Sequence, residues 1–315
     1  MANIAIIGCG LIGRAWAISF ARAGHEVKLW DAVAEAPGAA LDYIASVLPD
    51  LVRNDLLNGA TAERVLARMA TAPTLRAAVA GADYVQENTP EILETKRAVF
   101  AELDAATPAN AVIASSTSAL LPSRFTDHLS GKARCLVVHP LNPPYLIPAA
   151  EIVPAPWTAA AAVERAASLL REAGHAPIVM KREIDGFVMN RLQGALLEEA
   201  FRLVADGVAS AEDVDIGLRE GLALRWSFMG PFETIDLNAP GGVRDYVERY
   251  QGIYERIFPS TQRRADWAGE ALETIEADRR ARLPASALSR RQVWRDRQLM
   301  ALAVHKRRVK SDIGG

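Results

Sequence analysis

Short apolar runs alternate with longer amphipathic stretches up to about Lys181, and then the alternation stops. Residues 3–7, NIAII, form an apolar run rich in isoleucine that ends at Gly8, which predicts a buried parallel strand. LIGRAWAISFARAG then has helical spacing and stops at Gly24, and EVKLWD predicts a second strand, completing a βαβ unit. Residues 38–58 and about 61–69 predict helices, DYVQEN a strand, and EILETKRAVFAELDAA an amphipathic helix. AVIASST (111–117) and CLVVH (135–139) predict strands, and EIV (151–153) begins another. TAAAAVERAASLLREAG predicts a helix and APIVMK a last strand. This order predicts an α/β fold: a Rossmann-type doubly wound, mainly parallel sheet with helices on both faces. After Lys181, IDGFVMNRLQGALLEEAFRLVADG is a long helical pattern with no strand behind it, so an all-α C-terminal domain follows. The expected domains are 1–184 and 185–315. The stretch SRRQVWRDRQLMALAVHKRRVK is a charged amphipathic helix whose basic residues fit a solvated face.

A length of 315 residues favours two domains over one core. Half the residues are hydrophobic and the formal net charge is −2, so there is no basic field for nucleic acid and no acidic tail. MANIAIIGCG lacks a basic leader and runs straight into a fold motif, so it is not read as a signal peptide. No apolar run reaches the roughly 18–20 residues that span a bilayer. Cys9 and Cys135 do not suggest a disulfide framework, which fits a cytoplasmic protein. No metal site, nucleic-acid partner or membrane partner is expected.

Gly8, Gly10 and Gly13 form G-x-G-x-x-G between the first strand and the first helix. That context makes the pattern a dinucleotide-binding turn, with Leu11 and Ile12 inside it. The glycines permit a tight turn, close approach of a pyrophosphate, and helix–strand packing, while the helix N-terminus attracts the anion. Asp31 ends the second strand, 18 residues beyond Gly13, where a carboxylate accepts from a ribose diol and repels a 2′-phosphate. Ala32, Val33 and Ala34 supply no arginine, so the expected cofactor is NAD.

Oxidising an alcohol with a nicotinamide also requires a base for the hydroxyl proton, and histidine suits that task. His25, His128, His175 and His305 lie in turns or polar segments and read as surface residues. His139 instead ends a predicted parallel strand, the edge at which doubly wound sheets hold ligands. Four prolines stiffen the loop PLNPPYLIP, which can return Glu151 to His139. A carboxylate there would fix the imidazole and stabilise its cation; a satisfied core histidine with an unrelated acid is the alternative.

GCGLIG, SSTS, HPLNPP, the glutamate twelve residues after the histidine, and GFVMNRL together resemble the L-3-hydroxyacyl-CoA dehydrogenase superfamily over almost the whole chain. The resemblance implies His139 as general base and Glu151 as its partner. It also implies Ser118 and Asn190 at the reacting oxygen, and Glu91 and Lys96 at the nicotinamide half of NAD. On the residues alone, Ser118 could be a helix cap, Asn190 a helix bridge, and Glu91 and Lys96 surface charges. The family further implies a homodimer formed through the helical domain.

SSTSALLPS, HPLNPPYLIPAAEIVP and GLALRWSFMGPFETIDLNA resemble, more narrowly, the branch of lambda-crystallin and L-gulonate 3-dehydrogenase. Arg225, ahead of Gly230-Pro231, suits a bidentate clamp on the carboxylate of a small hydroxy acid, or else a structural contact. Acyl-CoA members carry a lysine-rich segment after the second strand. GAALDYIASVLPDLVRNDLLNG has one arginine, no lysine and three aspartates there. The implied activity is therefore NAD-dependent oxidation of a small L-3-hydroxy acid, L-gulonate being the named candidate. L-3-Hydroxyacyl-CoA dehydrogenase and L-carnitine dehydrogenase are the alternatives, the latter needing an aromatic cage to which Trp226 and Tyr145 could contribute. A non-catalytic, crystallin-like role is disfavoured by the presence together of His139, Glu151, Ser118 and Asn190.

Overall fold

The structure is a computed structural model that describes residues 1–313. The chain divides into two units, Met1–Met189 joined by the chain from Trp294 onward, and Asn190–Val293.

The first unit is built on eight strands: β1 (Asn3–Ile7), β2 (Glu26–Trp30), β3 (Met69–Thr71), β4 (Tyr84–Glu87), β5 (Val112–Ser115), β6 (Cys135–Pro140), β7 (Ala149–Pro154) and β8 (Ala176–Val179). Seven helices connect them: α1 (Leu11–Arg22), α2 (Ala36–Arg53), α3 (Ala62–Leu66), α4 (Leu75–Val79), α5 (Leu93–Ala106), α6 (Pro122–Thr126) and α7 (Ala160–Glu172). The sheet order is β3-β2-β1-β4-β5-β6-β7-β8. The first six strands are parallel, and the order reverses between β1 and β4, as at the ligand crevice of a dinucleotide-binding sheet. β7 runs antiparallel to β6, and β8 parallel to β7. The sheet is thus mainly parallel.

Alternation along the strands separates two cores. Ile4, Ile6, Val27, Leu29, Leu136 and Val138 face α1, α2 and α7. Ala5, Ile7, Val85, Ile113 and Val137 face α4, α5 and α6, where Phe100 and Phe125 meet edge to face at 4.8 Å. At the carboxyl ends of β4, β5 and β6 the buried positions turn polar: Gln86 and Glu87, Ser115, and His139.

The second unit is helical: α8 (Met189–Ala205, entered from the first unit), α9 (Ala211–Ile216), a π-helical turn Gly217–Leu222, α10 (Ala223–Trp226), α11 (Pro231–Leu237), α12 (Gly242–Thr261) and α13 (Glu270–Arg282). Ser210 and Asp213 close a reciprocal capping box at the start of α9. The last helix, α14 (Leu288–Ile313), begins in the second unit and ends in the first.

Three expectations need correction. The whole of 185–315 was expected as one helical domain, but Met300 is buried in the first unit's core with Leu299 packed against it. β3 and α4 were not foreseen, because three and five residues are too short to display a period. His25 and His175 are buried, not on the surface. Each follows a left-handed helix-terminating glycine, Gly24 or Gly174, and the turn drops its ring onto the aromatic side chains of α1.

Candidate active site

The glycine turn lies at the reversal of strand order. Gly8 has φ +90°, and a Cβ there would stand 2.8 Å from the carbonyl of Asn88, just past β4. A Cβ on Gly13 would stand 1.9 Å from the Gly8 carbonyl oxygen. Both positions therefore demand glycine. A Cβ on Gly10 would meet nothing within 4 Å, which is the open approach a pyrophosphate requires at the start of α1. Leu11 is exposed beside it and Ile12 half-buried.

Asp31 is held from two sides: Cys9 N–H donates to Oδ2 at 2.7 Å and Val33 N–H to Oδ1 at 2.9 Å. Each oxygen keeps a lone pair, so the carboxylate is oriented yet able to accept from a ribose diol. In the loop after His139, the Oδ1 atom of Asn142 is buried without a protein partner. An open glycine cradle, an oriented acid and an orphaned acceptor all fit a dinucleotide. Burial, with the Asp31 charge, pushes the Cys9 thiol up to about 12, so it is no nucleophile at neutral pH.

β6 and β7 place His139 directly opposite Glu151 in the antiparallel register. The imidazole Nδ1 lies 2.7 Å from Glu151 Oε2, and both side chains are buried. The other oxygen, Oε1, accepts from the N–H groups of Val188 (2.6 Å) and Met189 (2.8 Å) at the start of α8. Burial pushes the Glu151 carboxyl up, but the hydrogen bonds from His139, Met189 and Val188 outweigh it and hold it below the ordinary carboxylate range. An ionised carboxylate only accepts, so Nδ1 carries the proton and Nε2 of the neutral ring keeps the lone pair.

Phe187 went unnoticed in the sequence. It is fully buried, with its ring 5.6 Å from that of His139, and its φ is +49°, a conformation bulky residues rarely adopt. Gly186 before it also has positive φ, at 77°. These two left-handed residues turn the chain so that the next two N–H groups face Glu151. The pair GF in GFVMNRL was the available signal.

Ser118 lies past the end of β5 and is exposed. Its N–H donates to Glu91 Oε2 at 3.1 Å, while Oε1 of Glu91 accepts from Ala119 N–H (3.1 Å), Leu120 N–H (3.3 Å) and the Thr117 hydroxyl. Glu91 therefore ties down the turn that carries Ser118. Lys96 is not a surface charge. It is buried, and its three protons go to both oxygens of Glu87 (2.8 and 2.9 Å) and the Thr89 carbonyl (2.9 Å). The Ser115 hydroxyl also donates to Glu87, at 2.6 Å. On the other face, Ser116 Oγ accepts from Trp16 and Gln86 and donates to Asn88. These two polar networks, absent from the sequence reading, fix the strand ends on which the site stands.

Asn190 and Arg225 belong to the second unit. Asn190 follows Met189 in the first turn of α8. Arg225 is half-buried on α10, and its carbonyl accepts from Phe228 and Met229. Trp226 is 40% exposed, whereas Tyr145 is buried in the first unit's core and is not available to a cage.

Comparison with known proteins gives the family. The family model for the 3-hydroxyacyl-CoA dehydrogenase NAD binding domain matches residues 3–184, and that for the C-terminal domain matches 186–276. Lambda-crystallin of Oryctolagus cuniculus is 39% identical over 310 residues, 98% of this chain and 97% of that protein. L-carnitine dehydrogenase of Streptomyces coelicolor is 41% identical over 249 residues, 79% of this chain and 77% of that protein. Among solved structures, 5-formyl-3-hydroxy-2-methylpyridine 4-carboxylic acid 5-dehydrogenase, an NAD+ dependent dismutase, superposes with a TM-score of 0.83 at 28% identity, covering 99% of both chains. The chain is thus an NAD-dependent oxidoreductase acting on CH–OH groups, and it belongs to the 3-hydroxyacyl-CoA dehydrogenase family.

Proposed function

We propose that the protein oxidises a small L-3-hydroxy acid to the 3-keto acid, with L-gulonate as the named candidate. The observation that carries this reading is the 2.7 Å pair of His139 and Glu151 at the carboxyl edge of the sheet. NAD, when bound in the Gly8–Gly13 turn and against Asp31, supplies the hydride acceptor. The chain's own residues do the rest. His139 Nε2 takes the hydroxyl proton, and Glu151 stabilises the imidazolium so formed. Ser118 and Asn190 aim polar groups at the reacting oxygen, where charge develops. Arg225 receives the substrate's carboxylate. Glu91 and Lys96 serve the nicotinamide half of the cofactor, and they also hold the strand-end loops through Ser118 and Glu87 respectively.

Two features of α2 support a free acid over a CoA thioester. It carries no lysine, and the acids in its last turn and just past its end are engaged by the last helix: Arg297 reaches Asp50 at 3.4 Å, and Arg307 reaches Asp55 at 3.0 Å. L-Carnitine remains a second reading because of the 41% identity to a protein of that name, with Trp226 the exposed aromatic on offer. We further propose a homodimer through the helical unit and a cytoplasmic setting, the latter supported by two buried, free thiols.

The test is NADH formation with L-gulonate, L-3-hydroxybutyrate, L-carnitine and L-3-hydroxybutyryl-CoA, with NADP as control. A free hydroxy acid should give the highest kcat/KM. Preference for the thioester would overturn the substrate assignment. His139→Gln should lose roughly two to four orders of magnitude in kcat, and near-normal turnover would remove His139 as the base.

A further inference from the structure

A cavity of about 420 Å³ lies on the α1 face of the first unit, between the end of α1, the loop Pro144–Pro148 and the last helix. None of the residues assigned above to cofactor, base or substrate lines it. Three cations do, Arg22, Lys306 and Arg307, and no carboxylate does. Arg22 donates to the Tyr145 carbonyl at 2.7 Å, but its Nε is buried without an acceptor and no acid lies in ion-pair reach among the described residues. Burial pushes its guanidinium down to about 10, still charged at neutral pH. Lys306 likewise has no acid in reach among the described residues, while Arg307 spends two donors on Asp55. The rest of the lining is mostly apolar, with Leu56, Leu146, Leu299 and Leu302 among it and Asn58 and Tyr145 its polar side chains.

A half-buried guanidinium without a counter-ion is unfavourable, and an arriving oxyanion relieves it. The volume suits a small molecule. We propose that this cavity binds a small amphiphilic carboxylate, its oxyanion on Arg22 and Lys306 and its apolar body against the leucines. This ligand is separate from the substrate, because it uses neither Arg225 nor His139. One wall of its site is the loop joining the strand of His139 to that of Glu151.

The experiment is isothermal titration calorimetry of the full-length protein, saturated with NADH, at constant ionic strength. Hexanoate is the probe and inorganic phosphate the comparison. Hexanoate should bind more tightly than phosphate, and about tenfold more weakly in both Arg22→Met and Lys306→Ala, each of which removes a charged contact. Lys306 is exposed, so that variant keeps the fold if Arg22→Met does not. Absence of hexanoate binding, or unaltered affinity in Lys306→Ala, would each overturn the assignment.

Discussion

Glu151 is fully buried, yet three hydrogen bonds keep it ionised. Its two oxygens do different work, one fixing the proton on His139 Nδ1 and the other holding the start of α8. Glutamine in its place still accepts from α8 but presents an amide N–H to Nδ1. The imidazole must then move its proton to Nε2 and cease to be a base. Glu151→Gln should therefore fold and bind NADH normally, with kcat lower by roughly two to four orders of magnitude; unchanged kcat would show that the pair is only structural. His175 makes a prediction about stability. Burial, with Arg22 nearby, pushes it down to about 4, below its ordinary 6.5. The unfolded chain thus binds the proton first on acidification. Stability should be flat above pH 6.5, fall between 6.5 and 4, and lose on the order of 3 kcal/mol there, at 1.36 kcal/mol per pH unit. Urea titrations across that range should show a shallower fall in His175→Gln. The residue types of His139 and Glu151 were legible in the sequence because chemistry limits who can serve. The burial of His175 and Lys96 was not, since it depends on which helix packs over them.

Elements with a clear period were the readable ones. β1, α1 and β2 emerged because five- and twelve-residue patterns meet glycines that close them. The direction of β7 was hidden, because hydrophobicity is the same for a strand read either way. Its antiparallel course is what sets Glu151 opposite His139. The division of α14 was hidden too. Its charged face suggests solvent, but a narrow stripe, Leu299 and Met300, joins the core of α1 and α2, where Asn54 also reaches the Met300 sulfur at 3.9 Å. Met300→Ala empties a buried site and should destabilise the first unit by about 2–4 kcal/mol. Chemical denaturation measures this. A loss below about 0.5 kcal/mol, the range of ordinary surface changes, would mean that the last helix is not part of that core.

The whole molecule presents an imbalance between its two units. The first has two cores, whereas in Asn190–Val293 the buried residues are Arg202, Thr234, Ala239 and Ala271, with no large apolar side chain among them. Phe232 is 80% exposed, Phe228 73% and Leu237 68% in the whole chain. Helices with apolar faces uncovered on this scale mark an interaction surface. Family resemblance and symmetry favour a second copy, whose identical helices would supply the missing cover. If so, folding and association are one event. Light scattering should then give twice the 34.0 kDa chain mass at micromolar concentration. The thermal midpoint should also rise with protein concentration, because mass action stabilises an obligate dimer and leaves a monomer unaffected. A chain that runs at 34.0 kDa and melts at the same temperature across a hundredfold dilution, about 2.7 kcal/mol of mass action, would exclude the dimer and leave those apolar residues for a different partner.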